Sequence, residues 1–195
     1  MRIIAGVAKG RTLTSVSGAT RPTSDRAREG LFSSLTSEFG DFLGLHVLDL
    51  FAGSGAVGLE ALSRGATLVH AVEKDTDAQK TITTNSELVE KASPSGKFHL
   101  YSMSVQRFVS DPAHDQYHLV YVDPPYDFPN DELEEILRLL GEGNFLKSDA
   151  FIAVERRAKG GQFTWPHSYE PVRERNYGQA TIYYANAALS TPENG

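Results

Sequence analysis

Beyond the first 20 residues, short apolar runs alternate along the chain with longer stretches in which apolar residues return every three or four positions. LHVLDLF (45–51), TLVHAVE (67–73), KFHLYSM (97–103), YHLVYVD (117–123) and AFIAVERR (150–157) read as strands. Between them, GAVGLEALSR (55–64), DTDAQKTITTNSELVEKA (75–92) and NDELEEILRLLGEG (130–143) read as helices, with a short segment near SVQRFV (104–109). Ahead of the first strand, RPTSDRAREGLFSSL (21–35) predicts a helix capped near Thr23 or Ser24, with Ala27, Leu31 and Leu35 on a four-residue spacing. The helix from residue 130 is expected to open on Asn130 as its cap, its acidic first turns facing solvent. YEPVRERNYGQATIYYAN (169–186) reads as two strands with a loop at Gly178 between them.

Strand and helix alternating at this spacing imply βαβ units. The expected fold is therefore α/β: a mostly parallel sheet of seven strands with helices on both faces and an antiparallel pair at the C-terminal end. With 195 residues and 40% hydrophobic positions the chain can bury one core, so one domain is expected over residues 1–187, with 188–195 a frayed tail. Cysteine is absent, which removes disulfides and thiolate metal sites and leans towards a reducing compartment. No apolar run suits a membrane span or a signal peptide, so a soluble cytoplasmic protein is expected.

The net charge is −6, yet Arg2, Lys9, Arg11, Arg21, Arg26 and Arg28 crowd the first thirty residues against Asp25 and Glu29. That asymmetry suggests a basic N-terminal arm, residues 1–22, on an acidic body. A solvated segment whose charges do nothing explains the composition equally well.

The first main strand passes into the next helix through LDLFAGSGAVGLE. Gly53, Gly55 and Gly58 fit G-x-G-x-x-G, and Glu73 stands 20 residues after Gly53, where an acid that binds ribose hydroxyls is expected. The pattern alone admits NAD, FAD or S-adenosylmethionine. Asp49, at the strand end, would repel a pyrophosphate and attract a ligand carrying an ammonium and a sulfonium. A carboxylate bridging the loop or capping the helix is the bland alternative for it.

YHLVYVDPPYDF (117–128) ends a buried strand on an acid, two prolines and an aromatic ring. Pro124 and Pro125 cannot donate to a sheet ladder, so pairing stops there and Asp123 sits at the mouth of the crevice where doubly wound sheets bind ligands. Successive prolines stiffen the loop. The Asp123 carboxylate and the Pro124 carbonyl can accept both protons of an exocyclic amine on a planar base, and Tyr126 can stack on that base for about 1–3 kcal/mol. A rigid turn is the alternative, and it leaves the glycine loop unexplained.

DLFAGSG and DPPY, in this order, resemble the amino-group methyltransferases that use S-adenosylmethionine. RIIAGVAKGRTL, RPTSDRAREGLFSSL and VLDLFAGSGAVGLEALSRGA resemble more specifically the bacterial small-subunit ribosomal RNA guanine-N2 methyltransferase D family, over about residues 2–185. The resemblance implies a Rossmann-like class I methyltransferase fold, methylation of a guanine N2 amine in 16S ribosomal RNA, and a small subunit, assembled or assembling, as substrate. It implies Asp123, Pro124 and Tyr126 at the base, with Pro125 beside them, and Asp49, Phe51, Ala52, Gly53, Ser54, Gly55 and Glu73 at the cofactor. The acid that many relatives of this fold place after the third strand to hold the adenine amine is missing from YSMSVQRF. The Met103 amide or the Ser104 hydroxyl is expected to serve instead. Under this reading Arg11, Arg21, Arg26 and Arg28 grip RNA, and the chain is a monomer.

Other readings stay open at this point. They are an amino-methyltransferase for adenine N6 or another nucleic-acid amine, an NAD-dependent oxidoreductase, and a binding module without catalysis. The histidines suggest no metal site, His114 and His118 leading into a strand rather than along a helix. Glu155, Arg156 and Arg157 could border a substrate groove, but a strand-end ion pair is the expectation.

Overall fold

The computed structural model describes residues 1–16, 25–159 and 163–188. Seven strands form one sheet: β1 (His46–Leu50), β2 (Leu68–Glu73), β3 (Lys97–Ser102), β4 (Tyr117–Val122), β5 (Leu146–Arg157), β6 (Tyr169–Tyr177) and β7 (Ala180–Ala187). Their order is β3-β2-β1-β4-β5-β7-β6. Pairing is parallel from β3 through β5, and β7 runs antiparallel to both β5 and β6. Chain order turns back beside β1, whose neighbours are β2 and β4. A crevice opens at the carboxyl ends of strands at such a switch point.

Helices cover both faces. On one side α1 (Asp25–Phe39), α2 (Ala56–Ser63) and α3 (Thr76–Glu90) pack Leu31, Phe32, Leu35, Leu59, Leu62 and Val89 against Val47, Val69, Leu119 and Tyr121 of the sheet. On the other, α4 (Val105–Ser110) and α5 (Asn130–Glu142) pack Phe108, Leu133, Ile136 and Leu137 against Leu48, Val72, Val120 and Ile152. The central strands read as unbroken apolar runs because they are buried on both faces.

Two expectations about helix starts meet different outcomes. The cap expected at Thr23 or Ser24 lies outside the described residues. At α5 the N-cap is Pro129, without a side-chain hydrogen bond, and Asn130 lies in the first turn with its Oδ1 turned to Arg156. A guanidinium arriving from β5 outcompetes the local capping bond.

The first sixteen residues do not project as an arm. Arg2 and Thr12 form an antiparallel bridge, and the segment lies along α2. The buried Glu60 carboxylate accepts from the Ile4 and Ala5 amides at 2.7 and 2.9 Å and from Arg64 Nε at 2.8 Å. Ser63 Oγ accepts from the Ala8 amide and donates to the Ala5 carbonyl. Asn85 of α3 joins this segment to the glycine loop: Oδ1 accepts from the Thr14 amide, and Nδ2 donates to the Thr14 and Ser54 carbonyls. Among the described residues, no helix is long and apolar enough to cross a membrane.

Candidate active site

A cleft of about 640 Å³ lies over the carboxyl ends of β1, β2, β4 and β5. Phe51, Gly53, Val72, Glu73, Lys74 and Val105 line one half; Asp123, Pro124, Pro125, Tyr126, Glu155 and Tyr177 are among those lining the other. The glycine loop and the Asp-Pro-Pro-Tyr loop, 70 residues apart in sequence, thus face one space.

The glycine loop is shaped by backbone geometry. Phe51 has φ 59°, rare for a bulky residue, and its ring meets that of Phe128 edge-on at 5.1 Å, tying the two loops together. Gly53, at φ 57°, gives its amide to Glu73 Oε2 at 2.9 Å. Glu73 Oε1 accepts from the Asp75 amide at 2.8 Å, so the carboxylate ending β2 is held by two peptide groups and still faces the cleft. Gly58 serves packing: a Cβ there would stand 2.9 Å from Val69 Cγ1 and 3.2 Å from Asp49 Oδ2.

Asp49 lies one layer below the cleft. Its carboxylate is 2% exposed and accepts from the Gly58 amide at 2.9 Å, binding β1 to α2. Burial pushes its pKa up to about 7; the Gly58 bond opposes the shift and the charge of Glu73 adds to it. The expected choice between nucleotides on the charge of Asp49 therefore loses its ground, because burial disfavours its charged form and the group does not line the cleft.

The groups expected at adenine are engaged elsewhere. The Met103 amide donates to the Tyr101 carbonyl, and Ser104 Oγ caps α4 by accepting from the Arg107 amide. Val105, one residue further, and Val72 line the cleft instead. Val72 and Val105 offer an apolar slot there, beside the hydrogen-bonding Glu73.

At β4 the Asp123 amide donates to the Leu50 carbonyl at 3.3 Å, carrying the sheet one residue past Val122. The prolines then end the pairing. The Pro125 carbonyl is consumed within the loop, accepting from the Phe128 amide at 2.9 Å and from Arg156 at 3.3 Å. Among the described residues no hydrogen bond ends on the Pro124 carbonyl. Arg156 corrects an expectation: among the described residues it makes no strand-end ion pair, while Glu155 and Arg157 border the cleft. Buried at 3% exposure, its guanidinium also donates to the Phe128 carbonyl at 2.7 Å and to Asn130 Oδ1 at 2.9 Å. Burial lowers its pKa, while the charge of Asp123 works the other way. The guanidinium is a clamp beneath the proline loop, and an arginine in the Glu155-Arg156-Arg157 run carried no sequence signal of that role.

The arginines expected to grip RNA separate. Arg26 is exposed and, with Glu29, Gly30, Ser33, Asn176, Tyr177 and Gly178, lines a second hollow of about 460 Å³. Tyr177 is common to both hollows. Arg11 is half-buried in the docked segment, and Arg21 lies outside the described residues. Arg28 is a correction. It is fully buried, giving Nη2 to the Arg2 carbonyl at 2.5 Å and to Asp25 Oδ1 at 2.9 Å, so in this structure it is not presented to a ligand. Sequence reasoning missed Lys74, Val105 and Tyr177 as lining residues, since nothing in their local pattern marks them.

Comparison with known proteins agrees with this architecture. The family model described as conserved hypothetical protein 95 matches residues 1–186. Ribosomal RNA small subunit methyltransferase D of Escherichia coli K12 is 35% identical over 180 residues, spanning 92% of this chain and 86% of the relative. The protein of that name from Haemophilus influenzae is 33% identical over 180 residues, 91% of this chain and 89% of its own. The solved structure of yhhF from Escherichia coli superposes with a TM-score of 0.82 at 33% identity, covering 97% of this chain and 99% of that one.

Proposed function

Since the chain belongs to the conserved hypothetical protein 95 family, that of the ribosomal RNA small subunit methyltransferases D, we propose that it methylates the exocyclic N2 amine of a guanine in 16S ribosomal RNA with S-adenosylmethionine. One observation carries this reading. Asp123 and Pro124 line the same cleft as Gly53 and Glu73, so acceptors suited to an amine share a chamber with a seat for a ribose-bearing cofactor.

The residues present fit S-adenosylmethionine. Glu73 can accept the ribose hydroxyls, since an ionised carboxylate offers about four lone-pair sites and its two amide bonds use half of them. Val72, Val105 and the Phe51 ring supply apolar flanks for the adenine. Asp49 acts through Gly58, keeping α2 close beneath the loop of residues 51–55, Ala52 and Ser54 included. When bound, the cofactor would supply a methyl carbon activated by its sulfonium, open to displacement by an amine lone pair with the sulfur as leaving group.

The chain's own groups aim and stabilise. Tyr126 stacks on the base, with Pro125 at its edge. The Asp123 carboxylate and the Pro124 carbonyl accept the two N2 protons, which draws the nitrogen lone pair out of conjugation and towards the methyl donor. As nitrogen becomes cationic, Asp123 stabilises the charge, and one proton then departs to the carboxylate or to water. A base in structured RNA must be swung out to enter. Arg11, Arg21 and Arg26 meet the flanking phosphates, the hollow beside Tyr177 continuing the path, and the protein acts as a monomer on the assembled or assembling small subunit.

The test is incubation with methyl-labelled S-adenosylmethionine and either naked 16S ribosomal RNA or small subunits, followed by mapping of the modified nucleotide. N2-methylguanosine at one position is expected. Label at another atom, or no incorporation with either substrate, refutes the assignment.

A further inference from the structure

We propose that Glu155 reads guanine, accepting the N1–H of the base while Asp123 and Pro124 take its N2 amine. The inference rests on the guanine-N2 reading above and adds the residue that sets its base specificity.

The placement follows from the sheet. β4 and β5 run parallel with Val120 beside Ile152, Tyr121 beside Ala153 and Val122 beside Val154. One step on, Asp123 stands beside Glu155, on strands about 4.8 Å apart. Partners in register project to the same face, so the two carboxylates point the same way. Both line the cleft, together with Tyr126 and Tyr177. The neighbouring Arg156 points to the opposite face, where it holds the proline loop from below.

Glu155 is 3% exposed and oriented from beneath by Tyr121, whose hydroxyl donates to Oε2 at 2.7 Å. Burial raises the pKa of that phenol far above its ordinary value, and the charges of Asp123 and Glu155 raise it further. Tyr121 is therefore a permanent donor. It fixes one carboxylate oxygen of a side chain that lines the cleft.

Guanine suits this pair. Its Watson–Crick edge sets N1–H beside the N2 amine, donors next to donors, and two adjacent carboxylates accept from both. Adenine sets an N1 lone pair beside its amine, and Glu155 would face that lone pair with negative charge. A site built to take a particular N–H rejects analogues lacking it far more strongly than an apolar pocket rejects a change of shape. 2-Aminopurine isolates the effect: it keeps the 2-amino group, while its N1 is an acceptor.

The experiment compares methyl transfer to the mapped guanine and to 2-aminopurine at the same position, in reconstituted small subunits, by wild type, Glu155→Gln and Tyr121→Phe. The wild type should favour guanine by about 10²-fold or more in kcat/KM. Glu155→Gln should lose about 10–10²-fold on guanine and narrow the preference to within about tenfold, because the amide can donate to the 2-aminopurine N1. Its calorimetric affinity for S-adenosylmethionine should stay unchanged, which a general loss of structure would not allow. Tyr121→Phe should fall between. If Glu155→Gln keeps the full preference, or the wild type uses 2-aminopurine as well as guanine, Glu155 does not read N1. Production of N2-methylguanosine by the wild type would in those cases leave the underlying assignment standing. Its absence would overturn both.

Discussion

At Asp49 burial outweighs the hydrogen bond from Gly58, and the consequence is a pH dependence with a definite sign. An unfolded aspartate loses its proton near its ordinary value of 3.8, whereas the folded group keeps it until about pH 7. Its contribution is therefore full below about pH 4 and is lost as the pH rises through about 7, because the folded state is then the one binding more protons. Asp49→Asn still offers Gly58 an acceptor and cannot ionise. Its urea midpoint relative to wild type should rise between pH 5 and pH 8; a constant difference would show that Asp49 is ionised throughout. Asp123 stands at the other extreme of role. Asp123→Ala should lower turnover by about 10²–10³ through loss of an acceptor that works in the transition state, with calorimetric binding of S-adenosylmethionine nearly intact. Turnover equal to wild type would refute the assignment.

Among elements, the loop after β4 is stiffened from two directions. Its prolines restrict the chain from within, and Arg156 reaches across from β5 to two of its carbonyls and to Asn130 at the head of α5. Arg156→Met removes the guanidinium from those acceptors. It should reduce kcat by about tenfold or more, with little change in affinity for S-adenosylmethionine, on the scale of one lost charged hydrogen bond of about 1.5–3 kcal/mol. Arg156→Lys restores one donor of the fork and should recover part of the loss. Equal kcat in all three proteins would mean that the prolines alone set the loop. The start of α5 illustrates the same coupling, since Asn130 exchanges a local capping bond for one made across the fold.

For the whole molecule, the part of the basic N-terminal segment that the structure describes, residues 1–16, is docked rather than projecting. Residues 1–16 are bound to α2 and α3 through Glu60, Ser63 and Asn85, and Arg28 is buried behind them. Arg26→Ala combined with Arg11→Ala should therefore reduce the slope of RNA affinity against salt by about one to two phosphate contacts. Arg28→Ala should leave the slope unchanged and lower the melting temperature, because it removes the donor that joins α1 to the Arg2 carbonyl. The opposite pairing of outcomes would return Arg28 to the RNA-binding surface.

Sequence by itself determined the element order, the parallel sheet with its antiparallel end, the glycine loop and the Asp-Pro-Pro-Tyr loop. Each of these is a short-range consequence: apolar period sets strand or helix, glycine permits a turn, proline ends a ladder. Tertiary structure alone decided which charged groups face the cleft and which are buried. Asp49, Arg28 and Arg156 belong to residue types that usually meet solvent, and each is held by a partner between 9 and 31 residues away, Arg28 by Asp25 of its own helix as well. No local pattern encodes such a contact, because the energy that holds a buried charge comes from whichever peptide groups the fold brings within reach.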